Sequence, residues 1–255
     1  MGSDREREDI AISQQLLLAG QKMARICNLQ IPELISQTDV CYATNPLDYA
    51  ASAHEQYLQK WGGLGAQTIL LGMNPGPWGM GQTGVPFGAT GVVQDILDIT
   101  NAEIIHPTGA HPKRPVSGLS LERQEVSGTR LWNLLLQHYG TSERIFENVF
   151  VLNHCPLLLL GESGKNLTPD KLAGEATRKI LSTCDEHLLK VVEILKIKKI
   201  IGVGKYAEKR AKIAIPNHEK LGIEIDTVWH PSPASPLANK NDGMDWRANV
   251  SAKLP

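Results

Sequence analysis

Apolar residues recur at helical spacing over residues 10–27, where Ile12, Leu16, Ala19, Met23 and Ile26 alternate with Gln14, Gln15, Gln21 and Lys22. This pattern predicts an amphipathic helix. Asn45-Pro46 supplies a capping side chain and a proline for the first helical position, so a second helix is expected over 47–61, stopping at Gly62-Gly63. Residues 68–73, 149–152 and 199–203 are short unbroken apolar runs bounded by turn residues, the mark of strands buried on both faces. Residues 223–229 alternate and read as a last strand. Helical segments are expected at 131–138, at 169–195 opened by a Thr168 cap, and at 205–213. Strands alternating with helices define an α/β fold, a single three-layer domain with a central, mainly parallel sheet flanked by helices. Residues 1–9 are charged and read as a flexible N-terminus, leaving 10–255 as one domain. The leucine cluster at 156–161 is too short for a membrane helix.

Three of these strands run directly into unusual sequence. Met73-Asn74-Pro75-Gly76-Pro77 follows the first, Asn153-His154-Cys155-Pro156 the second and His230-Pro231-Ser232-Pro233 the last. In open α/β sheets ligands bind beyond the carboxyl ends of the strands, so Asn74, Asn153 and His230 are expected to converge there. The stretch 72–88, GMNPGPWGMGQTGVPFG, interleaves Gly and Pro with Trp78, Met80 and Phe87, which describes a rigid pocket rim carrying an aromatic ring able to stack on a flat ligand. An asparagine amide both donates and accepts, so Asn153 can pair with an imide edge such as that of uracil. His230 can donate to a ring oxygen as negative charge gathers on a departing base. Asn74 can hold the attacking water.

Charge then complicates the picture. With 26 Lys plus Arg against 27 Asp plus Glu the formal net charge is −1, and no basic tail advertises a nucleic-acid partner. Yet Lys113, Arg114 and Lys240 flank the expected site loops and can supply a local positive face. The four cysteines are scattered singly and read as buried thiols. His106 and His111, five residues apart without acidic neighbours, do not make a metal site. Gly202-Val203-Gly204-Lys205 lacks phosphate-loop spacing and reads as a helix start packed on the sheet. Ser232 beside His230 does not read as a nucleophile pair.

Ordered blocks settle which chemistry to expect. GMNPGPWGMGQTGVPFG at 72–88, HPKRPVSGL at 111–119, EVSGTRLW at 125–132, NHCPLLLL at 153–160, GKNLTP at 164–169 and HPSPASPLANK at 230–240 resemble the single-strand-selective monofunctional uracil-DNA glycosylases over roughly residues 40–250. The resemblance implies the uracil-DNA glycosylase α/β fold and hydrolysis of the N-glycosidic bond of uracil and related bases, such as 5-hydroxymethyluracil, in single- and double-stranded DNA. An abasic site is left. No metal or organic cofactor is expected, and the protein is expected to be a soluble intracellular monomer without a membrane partner, placed in the cytoplasm or nucleoid of a bacterium or the nucleus of a eukaryote.

By position, the resemblance assigns Asn74 and His230 to catalysis, and Gly76, Met80, Phe87 and Asn153 to the base. Pro231, Ser232, Pro233, Ala234, Ser235, Pro236 and Lys240 fall in the loop that wedges into DNA. Gly76 stands where larger side chains exclude a 5-substituent. The sequence departs from vertebrate members at Ala234, where they carry Arg, at Asn241-Asp242, which are inserted before Gly243, and at His154, where they carry Leu. The alternative reading is a non-catalytic protein that binds damaged bases in the same pocket.

Overall fold

The computed structural model describes residues 2–255, with side chains from Ala11 onward. Residues 2–9, read from the sequence as part of a flexible N-terminus, lie in the first helix, with their side chains outside that description. The first helix, α1 (Gly2–Gln37), is longer than its apolar spacing suggested and passes through Pro32. Its second half keeps a reason to stay helical, because Met23, Cys27 and Leu34 bury against Leu157, Leu159 and Cys184. The strand β1 (Tyr42–Thr44) follows. Asn45 caps as expected, its side chain accepting from Leu47 N at 3.1 Å. The expected single helix over 47–61 is instead two, α2 (Pro46–Tyr49) and α3 (Ala51–Trp61), because Ala50 leaves helical geometry at φ −113°.

The sheet that carries the site has the order β3-β2-β5-β6, all parallel, from β2 (Thr68–Gly72), β3 (Val149–Asn153), β5 (Lys199–Val203) and β6 (Glu224–Val228). β2 and β3 are buried along their whole length, as their unbroken apolar runs require. β6, at the edge of the sheet opposite β3, is only half-buried. A second, two-stranded antiparallel sheet pairs β1 with β4 (Leu158–Leu160). Thus the leucine cluster is a strand.

The remaining helices are α4 (Met80–Thr83), α5 (Val126–Tyr139), α6 (Ser142–Asn148), α7 (Glu175–Leu195), α8 (Lys205–Ala214), α9 (Pro236–Asn239) and α10 (Met244–Ser251). The expected helix from 169 is corrected. Pro169–Lys171 forms only a 3-10 turn, Thr168 makes no side-chain cap, and α7 starts after Gly174, whose φ of +102° breaks the run. The main core packs Tyr57, Trp61, Trp132, Phe146 and Phe150 with the aliphatic side chains of β2, β3 and β5. Cys27, Cys155 and Cys184 are buried, whereas Cys41 is exposed, against the expectation for it. Among the described residues, no helix is long and apolar enough to cross a membrane.

Gly202 explains how α8 sits on the sheet: a Cβ there would strike the Glu208 backbone. Lys205 pairs with Glu208 at 2.8 Å, so the glycine-rich turn serves helix packing.

Candidate active site

Beyond the carboxyl ends of β2, β3 and β6 lies a cavity of about 400 Å³, lined in part by Asn74, Gly76, Met80, Phe87, Asn153 and His230. Each of its walls has a local cause. Asn153 is the last residue of β3 and pairs in register with Gly72 of β2. Gly72 has to be glycine, since a Cβ there would collide with the Asn153 carboxamide and come within 2.6 Å of the Phe87 ring. Two residues further on, Asn74 donates from Nδ2 to Leu157 O at 3.2 Å. That contact leaves its Oδ1 as the free acceptor. His154 N and Cys155 N donate to Gly72 O and Met73 O at 3.0 and 2.8 Å, so the two strand exits are tied together past the end of the sheet.

His230 reaches the cavity from the edge strand, crossing above β5. Gly204, at the exit of β5, lets it pass: its φ is +94°, and its Cβ position lies 3.6 Å from His230 Cβ. Ser232 N donates to His230 Nδ1 at 3.1 Å. The accepting Nδ1 therefore has no proton, and the neutral ring carries its hydrogen on Nε2. Burial lowers the His230 pKa below the usual imidazole value, against the Glu125 charge, which raises it. The ring is thus a neutral donor at pH 7. Its centroid lies 6.2 Å from that of Phe87.

Phe87 is held at a φ of +53°, uncommon for a bulky side chain. Its neighbourhood holds it there, because Trp132 Nε1 donates to Pro86 O at 3.3 Å and a Cβ at Gly128 would clash with the Phe87 carbonyl. Asn153 Nδ2 donates to Met80 Sδ at 3.2 Å, while Asn153 Oδ1 is buried without a partner among the described residues. Asn166 Oδ1, also on the cavity wall, is in the same condition. Buried acceptors left unpaired cost about 1–3 kcal/mol each, so both favour a ligand that brings donors. No atom lies within 4 Å of a Cβ built at Gly76, which leaves space on that side.

Of the expected loop, Ser232 and Pro233 line the cavity. Pro231 is buried beneath it, Ser235 is half-buried and Ala234, Pro236 and Lys240 are exposed, away from the cavity wall. The loop is braced internally: Asn239 donates to Pro233 O at 2.7 Å and accepts from Arg130 at 3.0 Å. Lys240 pairs with Asp245 at 3.2 Å. The insertion places Asn241, Asp242 and Gly243 in succession at positive φ. The Ser232 hydroxyl turns to Ala234 N, away from any nucleophile pairing with His230.

His154 does not enter the cavity. Its side chain is fully buried, with Nε2 on Asp185 at 2.8 Å and Nδ1 on Tyr206 at 3.0 Å, and Asp185 is paired in turn with Arg210. It anchors the exit of β3 to α7 and α8. His111 likewise bonds Glu162 O and Lys113 N, which braces a loop.

Glu125, Ser127, Trp78, Asn166 and Thr168 line the cavity without having been singled out as site residues. Glu125 caps α5, accepting from Ser127 N at 2.9 Å and from Gly128 N. A carboxylate just before Val126-Ser127-Gly128 was the available signal for it. Gln82 is nearly fully buried and has all its polar atoms engaged. Its Nε2 donates to Pro77 O and Pro115 O at 2.8 and 3.0 Å, and its Oε1 accepts from Ser117 N and Gly118 N at 2.7 and 3.2 Å. It fastens the 76–83 rim to the 111–118 loop.

A parallel sheet ending in a cavity with an aromatic wall, two unpaired carboxamide oxygens and a neutral imidazole donor defines an α/β protein equipped for a flat ligand rich in hydrogen bonds. The model of the uracil DNA glycosylase superfamily matches residues 59–251. The chain is 42% identical over 217 residues to the single-strand selective monofunctional uracil-DNA glycosylase of Rattus norvegicus, covering 85% of this chain and 76% of that one. It is 40% identical over 231 residues to the Mus musculus counterpart, covering 91% and 79%. The crystal structure of wild-type Pedobacter heparinus SMUG2 superposes with a TM-score of 0.58 at 15% identity, over 82% of this chain and 85% of that one, and so shares the fold. The chain belongs to the uracil DNA glycosylase superfamily and, within it, to the single-strand selective monofunctional uracil-DNA glycosylases.

Proposed function

We propose that this protein hydrolyses the N-glycosidic bond of uracil, and of 5-substituted uracils such as 5-hydroxymethyluracil, in single- and double-stranded DNA, leaving an abasic site. The observation that carries the proposal is the pairing, within one cavity, of the unpartnered Asn153 Oδ1 with the fixed Nε2–H tautomer of His230. The flipped base stacks on Phe87, and Asn153 Oδ1 accepts from N3–H while its amide nitrogen faces O4. His230 donates from Nε2 to O2 as the bond to C1′ breaks and negative charge spreads over the ring. A neutral donor suits this task, because it stabilises a developing anion without a proton having to be delivered. Asn74 Oδ1 orients the water that adds to the cation-like sugar, whose electrophilicity lowers the need for a strong base. The open side at Gly76 accepts the 5-substituent.

The loop over 231–240 fills the gap left by the flipped base in a duplex. Lys240 is tied to Asp245 on the outside of the cavity, which supports strand integrity after base release. The test uses a labelled oligonucleotide with one uracil, incubated with the purified chain and then heated in alkali. A strand break is expected at the uracil with alkali and none without it; an intact strand after alkali would refute the proposal.

A further inference from the structure

On the mouth of the cavity, Trp78 is flanked by two guanidinium groups. Arg114 Cζ lies 5.3 Å and Arg123 Cζ 4.4 Å from its ring centroid. They come from successive segments, 111–118 and 121–125, and both reach this ring. Among the described residues neither is within salt-bridge distance of a carboxylate. Arg114 is half-buried. Its Nη1 donates to Lys113 O at 2.9 Å, and its Nε is buried with no partner. Two cations held against one aromatic ring, neither paired with a carboxylate and one with a buried donor unsatisfied, suit an anion that joins them. An arginine held against an aromatic ring keeps its charge and its outward guanidinium donors available to a phosphodiester.

The support beneath is rigid. Gln82 joins the Trp78 rim to the Arg114 loop, His111 fixes the start of that loop on Glu162 O, and Gly79 packs on the Glu125 side chain, with a Cβ there 3.1 Å from Glu125 Cγ. Trp78 and Glu125 are both cavity-lining residues, so the pair of arginines stands at the entrance used by the base.

We propose that Arg114 and Arg123, aligned by Trp78, form a phosphate clamp for the substrate strand, gripping a backbone phosphate close to the flipped nucleotide. This rests on the reading of the cavity as a base pocket in a DNA glycosylase. The clamp acts on one strand and needs no duplex, so it supplies affinity for single-stranded substrate where the 231–240 loop has no gap to fill.

The test replaces single phosphates around the uracil with neutral methylphosphonates and measures single-turnover excision against enzyme concentration. For the wild type, half-saturation is expected to shift roughly tenfold or more at one or two positions near the uracil, the worth of a charge-assisted hydrogen bond. R114Q/R123Q is expected to be weaker on the unmodified strand and indifferent to the substitution at those positions. Its salt slope on single-stranded DNA should fall by about 0.7 for each phosphate that the variant no longer neutralises. W78A, which keeps both charges but removes their support, should lie between the two, with W78F restoring affinity. R123Q alters only an exposed side chain and guards against a folding artefact. Wild-type affinity and slope in both R123Q and the double variant would overturn the clamp, as would the same methylphosphonate profile in the double variant. Fluorescence anisotropy with a uracil-free single strand reads the clamp without catalysis. Failure of the wild type to release uracil therefore strikes the proposed activity, whereas release unchanged by the variants strikes the clamp alone.

Discussion

At Asn74, truncation to alanine removes the one carboxamide oxygen that the Leu157 contact leaves free for water. Single-turnover excision by Asn74→Ala should fall by at least two orders of magnitude with the melting temperature little changed, since the residue is half-buried and outside the core; wild-type turnover would end its role. His230→Ala should cost about 3 kcal/mol of barrier, roughly a hundredfold in rate, as for other donors to a developing anion. Its loss should be greatest for bases whose anions are least stable. Gly76 offers a test of selectivity. A Cβ there meets nothing within 4 Å beyond its chain neighbours, so a side chain can start at Gly76 without a clash at its Cβ, and Gly76→Phe places a ring on that side of the cavity. It should suppress excision of 5-hydroxymethyluracil far more than that of uracil, measured as a ratio of single-turnover rates; an equal loss on both bases would contradict the assignment of that space.

At the scale of the element, the loop after β6 invites a different measurement. Asn239→Ala frees Pro233 O and leaves Arg130 Nη1 with Pro231 O alone, slackening the segment that follows His230. If this loop fills the gap in a duplex, the variant should lose several-fold more activity on double-stranded than on single-stranded substrate; equal losses would assign it a purely structural part. The elements also show what the sequence could reveal. Three strands of the parallel sheet were legible because double burial leaves unbroken apolar runs, the half-buried β6 was legible from its alternation, and strand exits rich in Asn, His and Pro marked the cavity. β1 and β4 were not, since three residues are too few to establish a period. The break at Ala50 and the late start of α7 follow from local backbone geometry that neighbouring helical residues mask. Glu125 and Gln82 escaped notice as site residues, and Trp78 was read only as part of the pocket rim, because their roles arise from contacts across separate loops. His154, in contrast, was visible as a chemical oddity beside Asn153, but only Asp185 and Tyr206 show that it faces away from the cavity.

For the molecule as a whole, three buried histidines and the half-buried His230 set the response to acid. Burial lowers His54 to about 4 and His187 to about 3, and lowers His154 and His230 as well, against raising contributions from Asp185 and Glu125 respectively. In the unfolded chain these groups take up protons near pH 6.5, whereas the native state resists protonation. Above pH 6.5 they therefore cost the native state nothing, and as pH falls toward 4 they destabilise it increasingly. His54 alone accounts for about 3 kcal/mol over that window. Urea midpoints should be level from pH 8 to 7 and drop steeply between pH 6 and 4.5, and a flat profile there would mean the histidines are not kept neutral. The net charge of −1, which at first argues against a polyanionic partner, is a sum over the whole chain and does not describe the surroundings of Arg114 and Arg123.

Gln82 has a consequence for kinetics. With all its polar atoms engaged, it makes the cavity rim and the arginine-bearing loop parts of one stiff body. A surface already in its final shape has little ordering entropy to lose on contact. Capture of a strand should then depend on collision and on the opening of the DNA itself, with no slow closing step on the protein side, and solvent viscosity should slow association in direct proportion.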